Sequence, residues 1–278
     1  MDETNQRIYS INNMKMKKLG VSMMAILLIF SAQISLNAQN KATWPKGKKM
    51  ALSLTFDDGR GSQVNVGTAL LDKYGVKATL YVMPNAIEKN VALWKKAAEN
   101  GHEIGNHSSL HPCSGNFAWS RNRALEEYTL EKMQKELLES NEQLHQMIGI
   151  KPESFAYPCG QKFVGNNEKT QSYVPLVYGI FSSGRGWRDE APNDPAYLNM
   201  AQLTGVEMDG KNFDEILPMI KDASEKGYWL ILAGHEMGKG GNQTTRLSML
   251  EDLIRYAQDP QHGIWLAPVK EVTHYFKK

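Results

Sequence analysis

Two acids stand side by side in Thr55-Phe56-Asp57-Asp58-Gly59, directly after an apolar run that starts at Met50. Adjacent carboxylates next to a core are costly unless they bind a cation or handle protons. Successive side chains diverge at a strand end, so one carboxylate can hold a metal while its neighbour faces a substrate. The same residues also suit an ordinary surface turn. A second group, Gly105-Asn106-His107-Ser108-Ser109-Leu110-His111-Pro112, sets two histidines four positions apart. They can converge on one ion if the segment coils through about one turn; the plainer alternative is a pair of structural histidines. Together, Asp58, His107 and His111 supply one carboxylate and two imidazoles. That three-ligand set leaves room for water, as catalytic zinc sites do. Asp57 is then the base that deprotonates a metal-bound water.

Two further clusters complete the chemistry. Phe155-Ala156-Tyr157-Pro158-Cys159-Gly160 holds no acid or base. Its use would be a backbone N–H near Cys159 aimed at a developing oxyanion, unless it is only a strand ending in a Pro-Gly turn. In Leu230-Ile231-Leu232-Ala233-Gly234-His235-Glu236, a histidine ends an apolar strand. Its side chain titrates near neutrality and can protonate a leaving group, or it can be a satisfied structural histidine.

The elements that must position these residues alternate. Strands are predicted at 50–55, 78–83, 102–105, 154–157, 179–182, 228–233 and 264–267. Helices are predicted at 64–74, from an Asn85 cap to about 100, and at 126–148, 213–226, 245–258 and 269–276. The clearest is 126–148, where Leu130, Met133, Leu137, Leu144 and Ile148 share one face and Gly149 stops the run. Residues 163–203, rich in Gly, Pro, Ser and Asn, read as long loops around the short strand at 179–182. Alternation of this kind predicts a single α/β domain, a parallel sheet with helices outside it. In a closed barrel, chemistry sits just beyond the carboxyl ends of the strands, and all four clusters fall at strand ends.

The 278 residues are 41% hydrophobic and 22% charged, ordinary values for one sizeable globular domain. The first 38 residues differ. Lys15, Lys17 and Lys18 precede the apolar run 21–30, and Leu36-Asn37-Ala38 offers small residues before a cut at Gln39. That order describes a cleavable export signal. The run is shorter than the ~20 residues of a bilayer span, so no stable membrane span is expected after cleavage, and the protein is expected to be periplasmic or extracellular. Of the 32 basic and 30 acidic residues, positions 1–38 hold four and two, so the remainder balances to zero. A neutral chain has no field to gather a polyanion, which argues against nucleic acid and for neutral glycans. Export would also place Cys113 and Cys159 in an oxidising compartment, as one disulfide or two thiols.

In order along the chain, Thr55-Phe56-Asp57-Asp58-Gly59, the Asn100-to-His111 stretch, Tyr157-Pro158-Cys159-Gly160 and His235 resemble the motifs of the polysaccharide deacetylases, the NodB-homology group or carbohydrate esterase family 4. The resemblance covers about residues 46–270. It implies a distorted (β/α) barrel of about seven parallel strands, with residues 39–278 as the catalytic domain. It also implies hydrolytic removal of N- or O-linked acetyl groups from an acetylated glycan. By resemblance Asp57 is the general base and His235 the general acid. Asp58, His107 and His111 are the metal ligands, and Cys159 stands where a backbone amide holds the oxyanion. The metal implied is zinc, with cobalt, nickel or manganese as substitutes.

Two departures stand out. The family's third-motif arginine, which holds the base, is replaced by Ala156; Arg60, Arg185 or Arg188 could substitute, Arg185 first. Ala233 replaces a larger apolar residue two positions before the acid, which would reshape the acetyl pocket. Tyr157, Trp187 and Arg185 are expected to contact substrate, with Trp187 walling that pocket or simply packing, and Asp189 could orient His235. If the loops carrying Cys113 and Cys159 line one groove, the two would form a disulfide. Two other functions keep the same residues: a hydrolase of non-sugar amides or imides, and a non-catalytic carbohydrate-binding protein.

Overall fold

The computed structural model describes residues 44–277, so the export-signal segment 1–38 lies outside the described residues. Eight strands form one sheet in which every pairing is parallel. They are β1 (Met50–Phe56), β2 (Thr79–Val82), β3 (Glu103–Asn106), β4 (Ser154–Ala156), β5 (Ser183–Arg185), β6 (Val206–Glu207), β7 (Trp229–Gly234) and β8 (Ile264–Leu266). The order is β5-β4-β3-β2-β1-β7-β6. β8 lies beside the first half of β1 and β2 beside its second half. β5 and β6 do not pair directly. The segment between them closes the gap, with Leu203 N–H donating to Gly184 O and Gly186 N–H to Leu203 O, both at 2.8 Å. The result is a distorted barrel.

Helices follow most strands: α1 (Thr68–Lys73), α2 (Pro84–Ile87), α3 (Val91–Glu99), α4 (Leu130–Ile148), α5 (Val174–Ile180), α6 (Phe213–Lys226), α7 (Leu247–Gln258) and α8 (Val269–Phe276). α4 begins later than its periodicity suggests. The Thr129 side chain accepts from Lys132 N–H at its start, residues 125–127 form a separate 3₁₀ turn, and Gly149 closes it at φ 76°. The strand predicted at 179–182 is misplaced. Residues 174–180 are helix α5, with Pro175 in its first turn where the missing N–H costs nothing, and β5 starts at Ser183. The predicted Asn85 cap is likewise displaced, because α2 starts at Pro84. Among the described residues, no helix is long and apolar enough to cross a membrane.

Strand parity sorts the core. Leu52, Leu54 and Phe56 of β1, Leu80 and Val82 of β2, Ile104 of β3 and Leu230 and Leu232 of β7 pack outward under the helices. The alternate residues point into the barrel. There Ala51, Trp229 and Ile231 pack with Leu203, Ala267, Val269 and Trp44, alongside small or polar groups such as Ser53, Thr55, Thr79, Glu103, Ser154 and Arg185. These polar groups satisfy one another: Thr79 and Ser154 hydroxyls donate to the Glu103 carboxylate at 2.7 and 2.5 Å, and Ser53 donates to Ala267 O at 2.7 Å. Burial leaves the Glu103 carboxyl raised above its ordinary value despite those donors.

Candidate metal centre and active site

The inward parity of each strand continues past its carboxyl end. After Ala51, Ser53 and Thr55 comes Asp57; after Trp229, Ile231 and Ala233 comes His235; after Glu103 and Gly105 comes His107. Phe56 is paired with Gly234 in the β1–β7 register, and Asp57 N–H donates to Gly234 O at 2.8 Å, so Asp57 and His235 leave the barrel side by side. Gln63, buried below them, clamps the two strand ends. Its amide donates to Asp57 O at 2.6 Å and to His235 O at 3.0 Å.

Asp58 has the outward parity, yet it reaches the same mouth because its backbone turns through the left-handed region, φ 71°. Ser108, His111 and Cys159 share that conformation, at φ 61°, 53° and 54°. Non-glycine residues rarely take it, and strain of this kind gathers at working sites. Asn106 organises the turn that brings the histidines together. Its carbonyl accepts from Ser108 N–H at 2.6 Å, its amide donates to Asn141 at 2.7 Å, and Ser108 Oγ accepts from His111 N–H at 3.0 Å. The two imidazoles end 4.8 Å apart between centroids.

The donor set fits a metal ion. His107 Nε2 and His111 Nε2 lie 3.3 and 3.4 Å from Asp58 Oδ1. Ligands bound to zinc at about 2.0–2.1 Å in tetrahedral array stand about 3.3 Å apart. Asp58 Oδ1 is buried and accepts no hydrogen bond. His107 Nδ1 faces the Ala156 carbonyl at 2.8 Å, so the proton of a neutral imidazole is committed there. Nε2 and Oδ1 are then two lone pairs face to face, which a shared cation reconciles. Burial opposes charge on Asp58, but interaction with His107, then His111 and His235, holds its carboxyl well below the usual range. Burial and the neighbouring His107 push His111 down to about 4, leaving its imidazole neutral near pH 7.

Arg185 pairs with Asp57 through Nη2 and Oδ1. It rises from β5, one strand beyond Ala156, with which it is in register. Its guanidinium lies 5.0 Å over the Tyr81 ring. Arg185 is fully buried, so it cannot touch a substrate as expected above; it holds Asp57 in place. Tyr157 is also corrected. It has the outward parity, packs among Phe155, Tyr173 and Val177, and donates its hydroxyl to Ala201 O at 2.7 Å. Trp187 stands at the site, its ring 4.6 Å from His235 and edge-on to it.

Asp189 does not orient His235; its carboxylate accepts from Gly205 N–H at 2.9 Å. Asp209 takes that place. Its Oδ2 lies 2.7 Å from His235 Nδ1, and its Oδ1 accepts from Thr245 Oγ1 at 2.7 Å and His235 N–H at 3.2 Å. Burial alone would lower the His235 imidazole. The hydrogen bond to Asp209 and the charges of Asp57, Asp58 and Asp209 outweigh it and leave the pKa raised. Sequence reading missed Asp209 because β6 is only two residues long, although Met208-Asp209-Gly210 repeats the acid-glycine strand end of Asp58-Gly59.

Cys113 and Cys159 are joined, tying the loop after β3 to the loop after β4 with Cα atoms 6.0 Å apart. Cys113 Sγ lies 3.6 Å from His111 Nδ1, and as a disulfide the sulfurs are not available as further ligands. Gly160 follows at φ 68°; a Cβ there would sit 2.9 Å from Trp187 N and O, so only glycine lets the two loops meet. Asp58, His111 and Cys159 open onto a cleft of about 750 Å³ whose rim includes Arg60, Trp119 and Arg123. Arg60 donates to Asp58 Oδ2 at 2.8 Å.

Comparison with known proteins gives a consistent result. The sequence model of the polysaccharide deacetylase family matches residues 45–174. Among curated relatives, protein YlxY of Bacillus subtilis is 41% identical over 91 residues, 33% of this chain and 25% of that protein. The peptidoglycan-N-acetylglucosamine deacetylase PgdA of Listeria monocytogenes is 41% identical over 70 residues, 24% of this chain and 15% of that protein. The chain thus spans a quarter or less of these two relatives. Among solved structures, a family 4 acetyl xylan esterase from Clostridium thermocellum, in complex with a cobalt ion, superposes with TM-score 0.54 at 18% identity, covering 81% of this chain and 91% of that one. The allantoinase PuuE superposes with TM-score 0.57 at 14% identity, covering 84% and 92%. At such identities the likeness establishes the fold.

Proposed function

Because this chain belongs to the polysaccharide deacetylase family, we propose that it is a divalent-metal-dependent hydrolase that removes acetyl groups from a glycan. The observation that carries this is the meeting, at one end of the barrel, of three metal-ligating atoms, an arginine-held carboxylate and an aspartate-held imidazole. PgdA, the acetyl xylan esterase and their kin supply the substrate class.

Asp58, His107 and His111 would hold the ion, zinc by the nitrogen-rich donor set. When bound, the ion polarises a carbonyl oxygen and acidifies water. The chain's own groups do the rest. Asp57, with Oδ1 engaged by Arg185, offers Oδ2 to take the proton of the attacking water. A backbone N–H at Cys159 would receive the oxyanion that forms on the acetyl carbonyl. His235, held through Nδ1 by Asp209, presents Nε2 to the departing nitrogen or oxygen. Its raised pKa favours the protonated form that a general acid needs. Trp187 walls the space beside His235 where the acetyl methyl group would sit. Water and acetyl ester or amide are consumed, and acetate and a free hydroxyl or amine leave. The basic, apolar and small-residue order of residues 15–38 supports export of this domain, which N-terminal sequencing of secreted protein would check.

Acetate release from acetylated chitooligosaccharides and acetylxylan, with and without chelator, tests the function. Activity should vanish with chelator and return with zinc, and Asp57→Asn should lose turnover while still binding the ion. Full activity in that variant, or chelator-resistant activity, would refute the assignment. Release from neither glycan alongside opening of a cyclic amide would place the chain with the amide hydrolases instead.

A further inference from the structure

The rim of the cleft carries a feature that the reaction itself does not use. Phe117 and Trp119 are 43% and 50% exposed, stacked on each other at 5.5 Å with planes 29° apart. Trp119 stands 5.8 Å from the ligand His111. The Arg123 guanidinium lies 5.5 Å from the centre of the Trp119 ring. Among the described residues the hydrogen bond of Arg123 is to its neighbour Asn122, at 3.1 Å, and its Nε is buried with no hydrogen-bond partner. No carboxylate among the described residues pairs with it.

The segment is held ready. Ser120 Oγ both accepts from Cys113 N–H and donates to Cys113 O, each at 2.9 Å, so the 3₁₀ turn Ala118–Arg123 is fastened to the cysteine that bonds Cys159. A large exposed aromatic pair fixed in this way presents a flat apolar face of the kind that the C–H faces of a pyranose ring cover. Beside it, a guanidinium whose terminal nitrogens pair with no carboxylate among the described residues presents a fork that matches one. Arg60, along the same cleft, is paired with Asp58 at 2.8 Å and lies 3.8 Å from Glu236, so Arg123 is the cleft cation that no carboxylate among the described residues balances. The overall neutrality of the chain beyond residue 38 therefore hides a locally positive cleft.

Resting on the deacetylase reading above, we propose that Trp119 and Arg123 form a saccharide subsite next to the metal centre. This subsite selects a glycan bearing a carboxylate on the sugar beside the acetylated one. Trp119 carries the ring, and the terminal nitrogens of Arg123 take the carboxylate. The substrate class is then an acidic acetylated polymer rather than a neutral one.

A matched pair of probes tests this. Chitotetraose is neutral, and the tetrasaccharide of alternating N-acetylglucosamine and N-acetylmuramic acid adds lactyl carboxylates to the same backbone. With the zinc-loaded full chain, kcat/KM for acetate release should favour the acidic probe by roughly tenfold or more, the scale of one charge-assisted contact. The preference should shrink with salt. Arg123→Gln should abolish the preference, lowering kcat/KM for the acidic probe more than for chitotetraose, and Arg123→Lys should keep part of it. Trp119→Ala should weaken both probes severalfold. Quenching of tryptophan fluorescence in chelated protein reads binding without turnover, and there Arg123→Gln should lose affinity for the acidic probe alone. Equal kcat/KM for the two probes, or a preference that survives Arg123→Gln, overturns the subsite while acetate release still upholds the deacetylase. No acetate from either probe, with binding intact and Arg123-dependent, upholds the subsite and overturns the deacetylase.

Discussion

Replacing Asp209 with Asn isolates the work of a residue that never meets the substrate. Asp209 Oδ1 accepts from Thr245 Oγ1 and from His235 N–H, and Oδ2 receives His235 Nδ1. In Asp209→Asn the two donors at Oδ1 keep the amide oxygen there, which turns the amide NH₂ toward Nδ1. That nitrogen must then accept, so the neutral ring carries its proton on Nε2 and the doubly protonated form is disfavoured. The lost interaction is a charge-assisted hydrogen bond, about 1.5–3 kcal/mol. If that energy is expressed only when His235 is charged, kcat falls about 10- to 150-fold. The sign of the pH effect follows from the raised pKa. The acid form persists above the pH of an ordinary histidine, so the alkaline limb of wild-type activity should lie above that value, and that of the variant at lower pH. Acetate release from chitotetraose measured across pH, with zinc affinity by calorimetry as the control for an intact site, checks both points. An unchanged alkaline limb with kcat within twofold of wild type would refute the role of Asp209.

Arg185→Met leaves Asp57 buried without its cation. Breaking one partner of a buried pair costs roughly 3–5 kcal/mol, read as a lower urea midpoint, and turnover should fall because the base loses the group that holds it. Changing both Cys113 and Cys159 to Ser opens a loop spanning 46 positions. A stability loss of about 2–4 kcal/mol is expected, with weaker zinc binding because His111 lies between the freed cysteine and the ion; unchanged affinity would show that the turn at Asn106 suffices. Gly160→Ala drives a methyl into Trp187 at positive φ, and should lower turnover more than it lowers the thermal midpoint of the barrel.

The types and order of the chemical residues were legible in the chain. Asp57, Asp58 and His235 each follow an apolar run, His107 and His111 follow a short strand, and alternation of strand and helix implied a parallel barrel whose strand ends share one mouth. Burial on both strand faces makes such runs conspicuous, and helix stops such as Gly149 and Gly227 mark their own positions. Residues 163–203 were harder. A short helix with proline in its first turn and strands two or three residues long carry too little periodicity to read, so α5 went unseen there, and so did Asp209 just beyond, after the two-residue β6. The tertiary structure alone decided partnership. Arg185 finds Asp57 because β5 lies one strand beyond β4 and parity turns it inward, whereas Tyr157, nearer the motifs in sequence, is turned outward into the core. Asp58 joins the histidines only through a left-handed backbone turn that no composition or spacing reveals. Sequence dictates which groups are available, because burial is paid residue by residue. Which groups meet depends on strand order, register and parity, and those are properties of the closed sheet.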